Sequence, residues 1–291
     1  MAEQAAVNRR VGGSKPSSGA RALRALAPSD VFSGRDGAVG AGAGVETLLF
    51  DWAGTDRRRI GAPALRAAGR GSLDKRQNPS LAIGDGRLDS AAFHRNHGPI
   101  WEVLAGWLGD RTGDVLEVGS GTGQHVVEFA RRSPQLRWWP SDYEARNLDS
   151  IEAWRRLAQA PNIQAARMLD ISAADWGLNG EDSAALSDLT AIFCANVLHI
   201  SPWTTTEGLM RGSAQRLRRD GRIYIYGPFK RDGQHTAPSN EAFDQSLRGR
   251  DPQWGVRDLK DVRDEANKHD LVLADVASMP ANNMTLVFER R

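Results

Sequence analysis

The strongest chemical signal in the sequence is the pattern Glu-x-Gly-x-Gly-x-Gly over residues 117–123. Glycines let a backbone turn sharply and let a ligand approach with no Cβ in its way. An apolar run, Val115 to Val118, precedes the pattern, and a helical repeat follows from about Gly123 to Arg131. The helix start then offers free N–H groups to a negative or polar ligand group. Dinucleotide loops usually have the spacing Gly-x-Gly-x-x-Gly, so this pattern favours another adenosine-containing ligand.

Two acids follow at the ends of the next predicted strands. Asp142 comes after Leu136 to Pro140, 19 residues beyond the last glycine, where a carboxylate can accept both hydroxyls of a ribose. The same side chain could instead cap the following helix. Asp170 ends the strand predicted over Ile163 to Leu169, where it could meet an adenine amino group or simply stabilise a turn. Both acids therefore have a binding and a structural interpretation.

Two histidines are candidate general bases, because an unperturbed imidazole pKa near 6.5 suits proton removal at neutral pH. His199 lies in the segment Asn196 to Trp203, directly after the fourth predicted strand, and His235 lies in the polar segment Tyr226 to Asn240. We predict that these two segments are loops that form the acceptor pocket, the second a mobile lid with glycine hinges. Alternatively, His199 bonds to nearby backbone and the second segment is only a solvated loop. The six histidines lack metal-ligand spacing, so no metal site is expected.

The elements that must position these residues alternate between strand and helix patterns. Such alternation predicts a mainly parallel sheet with helices on both faces. The last two predicted strands, Leu271 to Val276 and Met284 to Glu289, are joined by about seven residues, too few for a parallel crossover. They should therefore be antiparallel. The predicted fold class is α/β, with a seven-stranded sheet ending in an antiparallel hairpin, which is typical of Rossmann-like class I methyltransferases rather than dinucleotide dehydrogenases.

Composition divides the 291 residues into two parts. Residues 1–78 contain 12 of the 30 glycines and carry a net charge of +6, without a sustained hydrophobic period. We predict a mostly disordered extension over 1–78 and one catalytic domain over 79–291. The Arg-rich extension leaves organelle import open beside a cytoplasmic location.

The remaining 79–291 carry a net charge of −4, a poor match for a phosphate backbone, so no nucleic-acid partner is expected. No apolar run approaches the roughly 18 residues of a membrane helix, so no membrane partner is expected either. The single cysteine, Cys194, excludes an intrachain disulfide, and its apolar neighbours indicate a buried core residue. Nothing in the sequence predicts the oligomeric state.

Several unusual short motifs occur in order over about residues 89–291. Together they resemble the sequences of the methyltransferase-like protein 26 family and its bacterial relatives. They include Gln124-His125 after the glycine loop, Trp139-Pro140-Ser141-Asp142, Tyr226-Gly227-Pro228-Phe229, Asp251-Pro252-Gln253-Trp254-Gly255 and Met279-Pro280-Ala281-Asn282-Asn283. The resemblance implies a class I fold that binds S-adenosylmethionine. Position by position, it implies the cofactor residues Glu117, Gly119, Gly121, Gly123, Asp142, Asp170 and Asn196. It supplies no acceptor, and His94, His97 and Gly98 depart from the charged residues expected there.

The sequence thus predicts an S-adenosylmethionine-dependent methyltransferase acting on a small molecule or a single side chain. An Asp/Asn-Pro-Pro-aromatic tetrapeptide is absent and only partly echoed by Ser201-Pro202-Trp203, which argues against adenine-N6 and glutamine methylation. Two alternatives remain: a non-catalytic partner subunit with the same fold, and a nicotinamide-dependent oxidoreductase. Binding of S-adenosylmethionine separates the three.

Overall fold

The computed structural model describes residues 81–291, which all fall in one compact unit. The predicted disordered extension, residues 1–78, lies outside the described part of the chain. Two short strands, β1 (Leu81–Ala82) and β2 (Leu88–Asp89), pair as an antiparallel hairpin at its start. Every helix within residues 81–291 is too short or too polar to cross a bilayer.

A seven-stranded sheet forms the centre of the domain. Its strands are β3 (Gly113–Val118), β4 (Leu136–Asp142), β5 (Arg167–Met168), β6 (Leu189–Ala195), β7 (Leu217–Gly227), β11 (Leu271–Met279) and β12 (Asn283–Arg290). The spatial order is β11-β12-β7-β6-β3-β4-β5; six strands point the same way, and β12 runs antiparallel to them. The predicted α/β class and the antiparallel C-terminal pair are confirmed. The sheet is therefore Rossmann-like, with one antiparallel strand near its C-terminal edge.

Helices cover both faces of the sheet because alternate side chains of each strand point to opposite faces. The helices are α1 (Ala91–Leu108), α2 (Gln124–Arg132), α3 (Ala145–Ala158), α4 (Trp203–Arg216), α5 (Pro238–Arg248) and α6 (Leu259–Asn267). In β6, Phe193 packs with side chains of α1 and α2, whereas Ile192 and Cys194 pack with side chains of α4 and α6. Cys194 is fully buried, as predicted, and burial raises the pKa of its thiol.

The third predicted strand is shorter than expected. Instead of Ile163 to Leu169, only Arg167–Met168 pairs with β4, and Ile163 makes a single bridge to Trp138. Trp138 donates its N–H to this edge, but Pro140, two residues later, has no N–H to continue the ladder. The Ala166 N–H binds the Glu152 carboxylate at 2.7 Å instead. A proline and a competing side chain therefore end the pairing.

The polar segment Tyr226 to Asn240 is not the loop that the sequence predicted. It contains a hairpin of β8 (Phe229–Arg231) and β9 (Gln234–His235), and then α5 begins. Asp232 and Gly233 form its two-residue turn with φ of 52° and 77°, the backbone of a type I′ turn. A further strand, β10 (Arg257–Asp258), runs parallel to β8 and completes a small second sheet. Gly233 thus makes a tight turn rather than the hinge of a lid.

Candidate cofactor and acceptor site

The glycine loop joins β3 to α2 at the carboxyl end of the sheet. Gly119, Gly121 and Gly123 have φ of 66°, 56° and 88°, the left-handed region that glycine adopts readily. A Cβ at Gly123 would lie 2.8 Å from the Ile151 Cα, and one at Gly119 would lie 2.6 Å from the Val197 side chain. A Cβ at Gly121 would meet no atom within 4 Å. Two glycines permit close packing, and the third leaves space above the loop.

Asp142 lies at the end of β4 beside this loop, as predicted. Its buried carboxylate accepts the Gly121 N–H at 2.8 Å through Oδ2. Oδ1 accepts the Glu144 N–H at 2.9 Å and the Asn147 side-chain amide at 3.1 Å, both at the start of α3. The structure therefore supports the helix-start interpretation, while it also brings the acid and the glycines together. Three donors orient the carboxylate at the edge where a ribose would lie.

Glu117 lies beneath the loop and is 2% exposed. Within residues 81–291, nothing bonds to its Oε2 atom. Burial raises the pKa of this carboxyl to about 8, and the Asp142 charge adds to the effect, while a hydrogen bond from Ser120 opposes it. A buried acid with an unpartnered oxygen suits a cationic or hydrogen-bond-donating ligand group.

Asp170 and Asn196 flank the same edge in different ways. Asp170 is exposed and accepts the Ser172 N–H and hydroxyl at 2.9 and 2.6 Å, which is the turn interpretation. Asn196 follows β6 with φ of 60°, and its N–H binds the Tyr226 carbonyl at 2.9 Å. That left-handed residue turns the chain across the end of β7. Their predicted cofactor contacts remain predictions.

Sequence reasoning missed two apolar side chains at this edge. Tyr143 is 65% exposed directly after Asp142, and Met168 is 57% exposed at the end of β5. Large exposed apolar groups beside two acids suit a planar heterocycle. The available signal was a large apolar residue within two positions of each strand-ending acid.

Sequence reasoning also missed the role of Gln124, the first residue of α2. Its Oε1 accepts the Ser90 N–H at 2.8 Å and the Thr122 hydroxyl at 2.9 Å. Its Nε2 donates to Asp89 at 2.6 Å. One side chain therefore ties the residues before α1 to the glycine loop. The unusual dipeptide Gln124-His125 after the glycine loop was the sequence signal for this role.

The two candidate bases each contact a residue of α5. His199 is 6% exposed, its ring meets Phe243 edge to face at 5.4 Å, and it makes no ring hydrogen bond within the described residues. Burial lowers the pKa of His199 to about 4, and the Arg257 charge contributes, so the imidazole is neutral at neutral pH. The His235 Nε2 instead lies 3.2 Å from the Asp244 carboxylate. Among residues 81–291, no cluster of acids, histidines and cysteine has the arrangement of a metal site.

Solved structures of methyltransferases share this fold. An O-methyltransferase family protein from Burkholderia thailandensis superposes with a TM-score of 0.57 at 15% identity, covering 68% of this chain and 57% of that one. TnmH gives 0.55 at 21% identity, covering 69% and 56%. An O-methyltransferase family 2 protein from Planctomyces limnophilus, solved with apigenin, gives 0.51 at 17% identity, covering 65% and 53%. This chain spans little more than half of each, and the likeness establishes the fold.

The family assignment rests on the sequence of the same domain. Residues 87–290, more than two thirds of the 291, match the model of a family described as "Protein of unknown function (DUF938)". The match includes the glycine loop, Asp142 and the insertion that carries α5. The chain therefore belongs to the DUF938 family, on a class I methyltransferase fold.

Proposed function

We propose that this protein is an S-adenosylmethionine-dependent methyltransferase acting on a small molecule or a single side chain. The observation that carries the proposal is the hydrogen bond from the Gly121 N–H to the Asp142 carboxylate at the carboxyl edge of the sheet. In open α/β sheets, ligands bind at this edge. The O-methyltransferase neighbours and the resemblance to the methyltransferase-like protein 26 family support the same reading.

The residues present fit this cofactor. Asp142 would hold the ribose hydroxyls, Tyr143 and Met168 would flank the adenine, and Asp170 and Asn196 would border it. Glu117 would face the amino-acid end, where a positive group satisfies its unpartnered oxygen. The bound cofactor supplies an electrophilic methyl group, and the chain positions the acceptor and excludes water.

The nicotinamide alternative fits the loop less well. In a dinucleotide loop the third glycine would fall at position 124, and here Gln124 occupies it. Its side chain holds the Ser90 N–H against the start of α2, where a pyrophosphate would lie. This contact favours an adenosine ligand without a pyrophosphate.

His199 remains our candidate for the proton-accepting group, with His235 as the second. The neutral His199 ring can accept a proton without first losing one, but a pKa of about 4 makes it a weak base. It therefore suits an acceptor whose proton is already acidic. The His235 ring is oriented by Asp244 in an ionic cluster, which favours a positioning role.

Calorimetry with S-adenosylhomocysteine, S-adenosylmethionine and NAD tests the proposal. We expect the first two to bind and NAD not to bind. Asp142→Ala should weaken binding by at least about tenfold, since a charge-assisted hydrogen bond contributes about 1.5–3 kcal/mol. Asp149→Ala, which changes an exposed acid of α3 outside the described hydrogen bonds of the site, is the matched control. NAD binding, or equal affinity in the Asp142→Ala variant, would contradict the proposal.

A further inference from the structure

A groove of about 380 Å³ opens between the small sheet of β8 and β10 and the first turns of α4 and α6. Its volume falls in the range of about 300–1,000 Å³ that is typical of small-molecule sites. None of the predicted cofactor residues lines it. The groove therefore lies apart from the proposed cofactor site, on the side of the inserted hairpin.

Two cations of this groove share one buried carboxylate. Lys230 Nζ and Arg248 Nε approach Asp244 at 3.0 and 3.2 Å, and the Asp244 side chain is 7% exposed. Arg257 donates to the carbonyls of Leu198, Ser201 and Gln253, and no carboxylate within residues 81–291 forms an ion pair with it. Arg257 is therefore a groove cation without a carboxylate partner among the described residues.

The acids that line the groove are placed so that they compensate little of the charge of Arg257. Asp258 caps α6 and accepts the N–H groups of Gly233 and Lys260 at 2.6 and 2.8 Å. Asp232 and Asp261 are exposed, where water and salt screen their charges. The half-buried Lys230 and Arg257 are screened less. Burial lowers the pKa of Arg257, and the positive charge of Arg248 lowers it further, which an anion in the groove would relieve.

The groove also borders the segment that carries His199. Arg257 holds the carbonyls on both sides of that residue, at Leu198 and Ser201, and its guanidinium carbon lies 5.9 Å from the Trp203 ring centroid. Trp203 lines the groove and offers an apolar face beside the cations. One wall thus combines charge for an acidic group with a surface for a ring.

We propose that this groove binds the acidic group of the methyl acceptor, a carboxylate or phosphate ester on a small ring-containing molecule, an inference that rests on the proposed methyl transfer. The Arg248 guanidinium and the Lys230 ammonium contact the anion, and Trp203 packs against the ring. Guanidinium groups match the planar, two-oxygen geometry of such anions.

Calorimetry with benzoate, phenyl phosphate and benzyl alcohol at constant ionic strength tests the groove directly. The wild type should bind at least one of the two anions and not the neutral alcohol, and the preferred anion identifies carboxylate or phosphate. Arg248→Gln should weaken that binding by at least about tenfold, the scale of one charge-assisted contact. Arg250→Gln, an exposed neighbour outside the groove, should bind as the wild type does.

S-adenosylhomocysteine affinity, measured on the same samples, reports both folding and the proposed function. Suppose that S-adenosylhomocysteine binds to all variants, but neither anion binds to the wild type or Arg248→Gln binds the anion equally well. Then the groove assignment is wrong and the proposed function stands. If S-adenosylhomocysteine does not bind, the proposed function fails, whatever the anions do. In a screen with labelled S-adenosylmethionine, the protein should methylate ring-containing acids and not the methyl esters of those acids. Equal turnover of the esters would overturn the assignment to the acceptor.

Discussion

At the scale of single residues, the site depends on groups whose surroundings change their ordinary properties. Position 123 must be glycine because a Cβ there would meet Ile151. Glu117 is buried with one oxygen that has no partner among the described residues, and His199 is a neutral ring beside Arg257. Residue type alone indicated the first of these. The altered pKa values depend on burial, which arises only in the folded chain.

The three glycines differ in why they are glycine, and substitution separates the reasons. Gly123→Ala should cost about 3 kcal/mol of unfolding free energy, because it combines a left-handed φ with a clash against backbone. Gly121→Ala should cost only about 1 kcal/mol, because its added methyl group meets open space. It should nevertheless weaken S-adenosylhomocysteine binding. Urea denaturation measures the first effect and calorimetry the second; equal destabilisation by both substitutions would contradict this account.

Three buried titratable groups predict how stability depends on pH in the ligand-free protein. Burial lowers the pKa of His125 to about 3 and that of His199 to about 4, so the unfolded chain binds protons that the folded chain does not. Their contribution to stability is therefore lost as pH falls below the unfolded value of about 6.5. Glu117, with a pKa of about 8, has the opposite sign, and its contribution is lost as pH rises from about 4.5 to 8.

Together these groups place the stability maximum near pH 6.5. Above it, the folded chain binds about half a proton more than the unfolded chain, so stability should fall by about 1 kcal/mol in total by pH 8. Glu117→Gln should remove this fall and retain the loss on the acid side. Urea titrations at several pH values measure both. A wild type that is as stable at pH 8 as at pH 6.5 would show that Glu117 is ionised in the folded chain.

At the scale of elements, the insertion between β7 and α6 is what distinguishes the acceptor side. The hairpin of β8 and β9, α5 and β10 contact one another through Asp244, which accepts from Lys230, His235, Arg248 and the Val256 N–H. Burial alone would raise the pKa of Asp244, but the hydrogen bonds from Lys230, Val256 and Arg248 lower it below its usual value. The turn signal Asp232-Gly233 was present in the sequence. The partners of Asp244 lie up to 14 positions away, so spacing could not identify them.

Asp244→Asn should therefore loosen the insertion without unfolding the sheet. The amide cannot compensate the neighbouring charges of Lys230 and Arg248, so we expect hydrogen exchange in α5 to speed up by about tenfold or more. Exchange in β3 and β6 should stay unchanged. Asp264→Asn, which affects only the exposed ion pairs with Lys260 and Arg263, is the control and should have little effect. Unchanged exchange in α5 would show that its packing does not depend on Asp244.

At the scale of the whole molecule, the first described residues are hydrogen-bonded to α3 and, through it, to the glycine loop. The Leu88 N–H binds the Ser150 hydroxyl at 2.8 Å, and that hydroxyl binds the Thr122 carbonyl at 2.8 Å. The Trp154 indole donates to the Leu88 carbonyl at 2.8 Å. Together with Gln124, these bonds join β2, the loop and α3 into one unit. Folding of this region and preparation of the cofactor edge are therefore coupled.

Gln124→Ala should test this coupling. It removes three hydrogen bonds and leaves the Ser90 N–H without its partner, so we expect a loss of about 1–3 kcal/mol in unfolding free energy. Gln135→Ala removes one exposed hydrogen bond to Gly109 and should stay within about 0.5 kcal/mol of the wild type. Urea denaturation of both variants decides. Equal stability of the two would mean that the Gln124 contacts contribute nothing net.

The sequence by itself determined the fold class, the antiparallel final pair and the position of the glycine loop. These follow from local signals: hydrophobic period, glycine spacing and a connection too short for a crossover. The tertiary structure alone decided the length of β5, the ordered insertion in place of a loop and the partners of His199 and His235. Each of these depends on contacts between residues distant in sequence, such as Glu152 with Ala166 or Gly255 with the His199 carbonyl. Such contacts form only when the sheet brings their elements together, because the free energy that selects them comes from packing and burial.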